Sequence, residues 1–299
     1  MASDARVTVG IIGGTGLYQL EGFEGAQWIA VQSPFGKPSD ELLIGDLEGY
    51  RVAFLPRHGR GHRVSPSEVN YRANIDALKR AGVDRVLAFS AVGSLNADLA
   101  PGKFVLVDQY IDRTSGRESS FFGEGFVAHV SMADPVCSTM NDAVEEAAGS
   151  LDIDLVRGGT YLAMNGPQFS TRAESNLYRS WGADIIGMTN MPEAKLAREA
   201  EMAYTTVAMV TDYDCWHEEH EDVSASLVLE VLRSNTDGAR ALVKAAVPVI
   251  GALDAPFPSG VHTALEHAIA TAPQDRDPAL MRKLDAVAGR VLKNEGWAG

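Results

Sequence analysis

The sequence predicts an α/β protein: one sheet of buried strands interleaved with amphipathic helices, in a single principal domain. Short apolar, β-rich runs recur along the chain and alternate with capped amphipathic segments, the pattern of a sheet whose strands are joined by helices. At 299 residues, 45% of them hydrophobic, the chain is long enough to bury a full core. Neither an internal repeat nor a low-complexity tract interrupts the alternation.

The strands read from the sequence are Val7–Gly13, Leu42–Leu47, Val52–Pro56, Val86–Ala91, Phe104–Ile111, Gly159–Met164, Asp184–Thr189 and Tyr204–Thr211. Helices are placed by capping chemistry. Ser65-Pro66-Ser67-Glu68 reads as a capping box with proline at the first helical position, opening a helix that runs through Asn74 and Leu78 and stops near Gly82. Thr171-Arg172-Ala173-Glu174 reads as a second box and Asn190-Met191-Pro192-Glu193 as a third. A further helix is expected after Ser224, and one or two beyond His262. Asp254–Gly260, carrying Pro256, Pro258 and Gly260, reads as a linker. It divides a main domain, residues 1–253, from a short helical tail, residues 254–299, packed on the same body.

Composition narrows the function classes. Lysine and arginine number 26 against 40 aspartates and glutamates, a formal net charge of −14, which repels nucleic-acid backbones and anionic membranes. Any anion that binds must therefore meet a local cluster of donors. Cys137 and Cys215 are too few for a disulfide framework and lack metal-ligand spacing, which fits a reducing cytoplasm. The N-terminal MASDARVTVG has no apolar stretch of signal-peptide length, so export is not expected.

Several strand ends carry chemistry. The first runs into Gly13-Gly14-Thr15-Gly16, a turn whose glycines leave backbone N–H groups free to face an anion beside a hydroxyl. Its spacing is that of neither a dinucleotide fingerprint nor a Walker loop, and a tight turn after a buried strand explains it equally. Arg57-His58-Gly59-Arg60-Gly61-His62 follows another strand and sets cations among glycines; alone it reads as a phosphate cradle or as a solvated basic loop. Phe89-Ser90-Ala91-Val92-Gly93-Ser94 supplies a third small-residue turn with a hydroxyl. Thr211-Asp212-Tyr213-Asp214 places two carboxylates at alternate positions, an acid/base pair or two capping aspartates. His217-Glu218-Glu219-His220 sets its histidines three apart instead of the four a zincin helix needs, so no metal is expected. Strand ends of an open α/β sheet are where ligands bind, and this chain loads several of them.

Together these segments resemble the trimeric purine nucleoside phosphorylase family, in its 5′-methylthioadenosine phosphorylase branch. The resemblance is carried by IIGGTGLY, SPFGKPSD, RHGRGHRVSPSEVNYRANIDALK, DQYIDRT, NGPQFSTRAESNLYRSWGADIIGMTNMPEAKLARE and TDYDCW, and covers about the first 250 residues. It implies a mixed, twisted central sheet flanked by helices, a homotrimer or a dimer of trimers, and an active site near the subunit boundary. It implies phosphorolysis of S-methyl-5′-thioadenosine to adenine and 5-methylthioribose 1-phosphate, with inorganic phosphate as co-substrate and no cofactor. Thr15, Arg57, His58, Ser90 and the Ala91 amide become the phosphate site. Val92, Gly93, Phe169 and Ser170 become the purine walls, Met188 and Thr189 the ribose side, and Asp212 with Asp214 the base-reading pair. Ala225, Val228 and Leu229 would face the 5′ substituent, with His129 entering from an adjacent subunit. Asp212, Ser90 and His58 are the expected catalytic groups.

The chemistry makes those residue types intelligible. A carboxyl beside purine N7 assists departure of the base, and as a carboxylate it accepts from a 6-amino group but opposes a 6-oxo group. An apolar 5′ pocket suits a methylthio group. The chain departs from the family pattern at Asn165 and Gln168, where the branch carries a carboxylate and a guanidinium, and at Asn190-Met191, which resembles the branch acting on 5′-methylthioinosine. A phosphorylase for 6-oxopurine nucleosides, a hydrolytic nucleosidase and a non-catalytic nucleoside-binding protein are the alternatives. The hydrolase would not need the anion site.

Overall fold

Long runs of β-branched and aliphatic residues build the centre of the sheet, and the order in which they pair creates a gap that becomes the site. In the computed structural model the described residues are 9–14, 17, 21–217 and 223–297, without the side chains of residues 225–227, 230 and 232. The chain passes through β1 (Val9–Gly13), β2 (Glu24–Ile29), β3 (Leu42–Leu47), β4 (Tyr50–Pro56), α1 (Tyr71–Arg80), β5 (Arg85–Ser94), β6 (Phe104–Leu106) and β7 (Gln109–Asp112). It continues through α2 (Ser138–Ala148), β8 (Leu155–Arg157), β9 (Thr160–Ala163), α3 (Arg172–Ser180), β10 (Ile185–Gly187), α4 (Asn190–Glu199), β11 (Ala203–Asp212) and α5 (Ala225–Gly251). Two short 3-10 turns, α6 (Pro278–Lys283) and α7 (Gly289–Asn294) complete it.

The sheet is mixed. Its main path runs β2-β3-β4-β1-β5-β10-β9-β7, and a second arm leaves β5 through β11 to β6 and β8. β1, β4, β5 and β11 are mutually parallel, so their C-terminal ends gather at one edge. β1 pairs with β5 only as far as Ala88, and antiparallel β10 joins β5 at Gly93 and Ser94. Between those points β5 has no strand partner on that side, and Phe89–Val92 face the opening. A register shift in β11 between Val210 and Asp212 sets Asp212 opposite Gly93.

The predicted Phe104–Ile111 strand is divided. β6 pairs with β11 and β8, whereas β7 pairs with β9, because the chain crosses from one arm of the sheet to the other at Val107 and Asp108. The Ser65 box caps a turn, not the helix: Ser65 Oγ donates to the Glu68 carboxylate (2.7 Å), and α1 begins later, where the Asn70 side chain accepts from the Ala73 amide. The Thr171 box is present and opens α3. The third box is absent. Thr189 is the N-cap without a side-chain bond, Met191 is extended (φ −119°, ψ 130°), and Glu193 is engaged by Arg57 instead. α2 escaped the sequence reading because its N-cap, Cys137, makes no side-chain cap bond.

The tail packs against the body. Leu265, Leu284, Val287, Ala288 and Leu292 are buried in one cluster with Ile12, Val86 and Leu196. Glu201, 4% exposed, fastens it by accepting from the Leu265 amide (2.9 Å) and from Arg290 (2.7 Å). Replacing this buried carboxylate leaves the Leu265 amide unsatisfied and removes one of the two carboxylates that hold Arg290, Glu266 being the other. Glu201→Ala is therefore expected to lower stability by about 2–4 kcal/mol in urea melts and to open residues beyond 260 to limited proteolysis.

Candidate active site

Four parallel strands deliver the site residues to one edge. β1 and β4 end in register at Gly13 and Pro56, so the glycine turn and the basic loop leave the sheet side by side, and the Arg57 amide donates to the Gly13 carbonyl (3.0 Å). The Arg57 side chain is 2% exposed. Its Nε and Nη2 donate to the two carboxylate oxygens of Glu193, both at 2.8 Å, and Nη1 donates to the Phe89 carbonyl at 2.8 Å, within the open stretch of β5. The guanidinium is thus held in one plane with donors to spare toward the cavity it lines. Glu193 is also the acceptor for the Tyr204 hydroxyl (2.7 Å), which in turn accepts from Asn190 Nδ2 (2.7 Å).

His58 stands beside it. Its Nδ1 donates to the Val64 carbonyl (2.9 Å), which leaves Nε2 as an acceptor in the neutral ring. Burial, and then the neighbouring Arg57 cation, lower its pKa to about 4, so the ring is neutral near pH 7. His62 stacks on it with centroids 4.4 Å apart and also lines the cavity. The basic loop is therefore divided in purpose: Arg60 turns away to Asp40 and Glu41 and lies over the Trp28 ring. Thr15 lies outside the described residues; Gly14 and Leu17 on either side line the cavity.

From β5, Ser90, Ala91, Val92 and Gly93 form one wall. Ser90 Oγ lies 3.3 Å from the Tyr161 hydroxyl and 3.4 Å from Thr189 Oγ1. Gly93 is required by close approach, since a Cβ there would come within 2.9 Å of Asp212 Oδ1. Asp212, 3% exposed, closes the far end; it accepts from Thr211 Oγ1 (2.7 Å) and from the Asp214 amide (2.8 Å). Burial raises its pKa to about 6 against those two hydrogen bonds, and burial raises Asp214 as well.

Phe169, Met188, Thr189, Val228 and Leu229 also line this cavity of about 320 Å³, and the Phe169 and Leu229 side chains are partly exposed. The backbone at Met188 is fixed by Arg117, whose Nη1 donates to the Met188 and Met191 carbonyls, both at 2.7 Å. Ala225 begins α5, and its side chain lies outside the description. Ser170 is not on the cavity wall: its hydroxyl donates to Met164 Sδ (3.6 Å), and it is Met164 that lines the space. His129 is absent from the lining too; its amide donates to the Ala268 carbonyl (2.8 Å) in a short ribbon joining residues 127–129 to the tail. Sequence reasoning missed Glu193, which it read as a cap, and His62 and Arg117.

Of the positions that depart from the family pattern, Ser90, a serine where threonine is common, lines the cavity, whereas Asn165, Gln168, Asn190 and Met191 do not. Asn165 bonds the Ser115 loop, Gln168 is exposed, and Asn190 lies behind the site between Tyr204 and Thr206.

A sequence model of the phosphorylase superfamily matches residues 8–248. The chain belongs to the phosphorylase superfamily. It is 62% identical over 284 residues to an S-methyl-5′-thioadenosine phosphorylase of Rhodospirillum rubrum, covering 95% of this chain and 97% of that one. It is 55% identical over 288 residues to the protein of the same name from Cereibacter sphaeroides, covering 96% and 99%. Among solved structures, a methylthioadenosine phosphorylase from an antarctic soil metagenomic library superposes with a TM-score of 0.89 at 48% identity, covering 95% of this chain and 98% of that one. A methylthioadenosine phosphorylase from Schistosoma mansoni in complex with adenine superposes at 0.79 and 39% identity, covering 87% and 96%.

Glu193→Gln leaves Arg57 buried without its counter-charge and is expected to cost about 3–5 kcal/mol in denaturant melts. Asp212 gives the opposite sign. Its folded pKa of about 6 lies above the ordinary 3.8, so the folded state keeps a proton the unfolded state has lost, and stability falls as pH rises through that window. Asp212→Asn removes the penalty, and the Thr211 hydroxyl then turns its one proton to the Val92 carbonyl (3.1 Å) and accepts from the new amide. The variant is expected to gain about 1–3 kcal/mol at pH 8 and almost nothing at pH 4, read from paired melts.

Proposed function

We propose that the chain cleaves S-methyl-5′-thioadenosine with inorganic phosphate, yielding adenine and 5-methylthioribose 1-phosphate. The observation that carries this reading is one cavity bounded by a held guanidinium and a neutral histidine at one end and a buried carboxyl of raised pKa at the other. Cleavage needs both ends. Phosphate approaches ribose C1′ as the bond to N9 breaks; positive charge develops on the sugar and an electron pair leaves with the purine. Arg57, Ser90, the Ala91 amide and the Thr15 hydroxyl hold the phosphate, and neutral His58 accepts from its O–H group through Nε2.

Asp212 serves the departing base. With a pKa of about 6 it carries its proton in a useful fraction of molecules near neutrality and places it at N7, while its ionised form accepts from a 6-amino group. Val92, Gly93, Phe169 and Met164 border the purine, with Ser170 behind Met164; Asp214 supports Asp212 through its amide, and Met188 with Thr189 meets the ribose. Ala225, Val228 and Leu229 take the methylthio group. Two partly exposed apolar side chains on the cavity wall support closure by a second copy carrying His129, hence a homotrimer, and the acidic, cysteine-poor chain suits the cytoplasm. The tail from residue 254 belongs to the same domain. Placement of Asn165, Gln168 and Asn190 away from the cavity supports the 6-aminopurine over the 6-oxopurine.

The test is release of free base from methylthioadenosine, methylthioinosine, adenosine and inosine, with and without phosphate. Adenine release from methylthioadenosine should dominate and require phosphate; release without phosphate makes the chain a hydrolase. Asp212→Asn should lower kcat/KM for methylthioadenosine about 10²–10³-fold and move the preference toward methylthioinosine.

A further inference from the structure

A second cavity, of about 520 Å³, lies apart from the one described and shares none of its lining residues. It is walled by the β6–β7 connection at Asp108 and Gln109, the segment from Ser131 to the start of α2, Arg157 of β8, Arg198 of α4, and residues 259–264. Arg198 is 8% exposed. Of the buried arginines, Arg57 is paired with Glu193, Arg85 with Asp84 and Arg276 with Glu295. Among the described residues Arg198 has no such partner: its Nη1 and Nη2 donate to the carbonyls of Ser131 (3.3 Å) and Asp134 (2.5 Å), and its remaining donors are unused.

Carbonyls satisfy hydrogen bonds without supplying charge, and a buried cation with no counter-ion is costly. Burial accordingly lowers the pKa of Arg198, with Asp134 and Cys137 the groups that oppose the shift. The same cavity receives the start of α2, an 11-residue helix whose N-cap gives no side-chain acceptor, so its first-turn amides and the positive end of its dipole lie beside Ser138 on the wall. Arg157, also on the wall, is already neutralised by Asp142 and Glu145. Arg198 is thus the guanidinium on this wall that no carboxylate contacts directly, and the exposed carboxylates of Asp108 and Asp134 disfavour a doubly charged guest. We propose that this cavity is a second anion site, taking a singly charged carboxylate on Arg198.

Acetate is the probe, with sulfate and chloride as controls at equal ionic strength. Saturation-transfer NMR on the intact wild-type protein should show acetate binding that sulfate does not displace at equal concentration. Saturating acetate should raise Tm by about 2–4 °C over chloride. Both effects should persist in Arg57→Lys, which alters only the first cavity, and vanish in Arg198→Gln, with Arg198→Lys retaining part of them if the glutamine variant does not fold. Absence of acetate transfer in the wild type overturns the proposal. So does transfer that survives in both Arg198 variants, or that disappears in Arg57→Lys. Sulfate binding more tightly than acetate overturns the assignment to a carboxylate.

Discussion

The buried ion pair of Arg57 with Glu193 is the constraint from which the site follows. It joins the end of β4 to α4, elements far apart in sequence, and both partners are almost wholly removed from water. Desolvating two charges is expensive, and a pair of this kind contributes little net stability over an apolar alternative. What it provides is direction. A bidentate fork fixes the guanidinium plane, the third nitrogen is pinned to Phe89, and Tyr204 and Asn190 behind Glu193 fix the carboxylate in turn. The guanidinium is thereby held in a fixed orientation on the wall of the cavity.

The sheet makes room for this arrangement. Because β1 leaves β5 at Ala88 and β10 arrives only at Gly93, the central strand exposes a stretch of itself at the sheet's C-terminal edge. In an ordinary sheet those groups would be consumed by a neighbouring strand. Here Arg57 takes one of the carbonyls, and Ser90 through Val92 become cavity wall. The ligand end of the fold is thus a place where two halves of one sheet splay apart around a continuous strand.

Much of this is legible in the sequence. β1, β4, β5 and β11 announce themselves as apolar runs, and local pattern marked Arg57, His58, Ser90 and Asp212 at or near their ends, while it was the family resemblance that assigned them roles. The rest depended on contacts between distant segments. Glu193 reads as a capping residue because its partner lies 136 positions away, and the same competition removed the predicted third capping box. α2 has a cysteine at its cap, and β8 is three residues long, so neither carries a local signal. The division of β6 from β7 is a topological event that hydrophobicity does not encode. Of the departures, Asn165 and Asn190 are engaged elsewhere in the molecule and Gln168 is exposed, none of the three on the cavity wall.

The register shift in β11 has a consequence for how such a site can change. Thr211 is the extra residue that brings Asp212 opposite Gly93, and side chains on a strand alternate faces. Loss or gain of a single residue there would swing the carboxyl to the other side of the sheet, whereas exchanging it for an amide leaves the backbone undisturbed. A substitution at 212 can thus change the chemistry at the end of β11 while the strand keeps its register, which an insertion or deletion beside it cannot do.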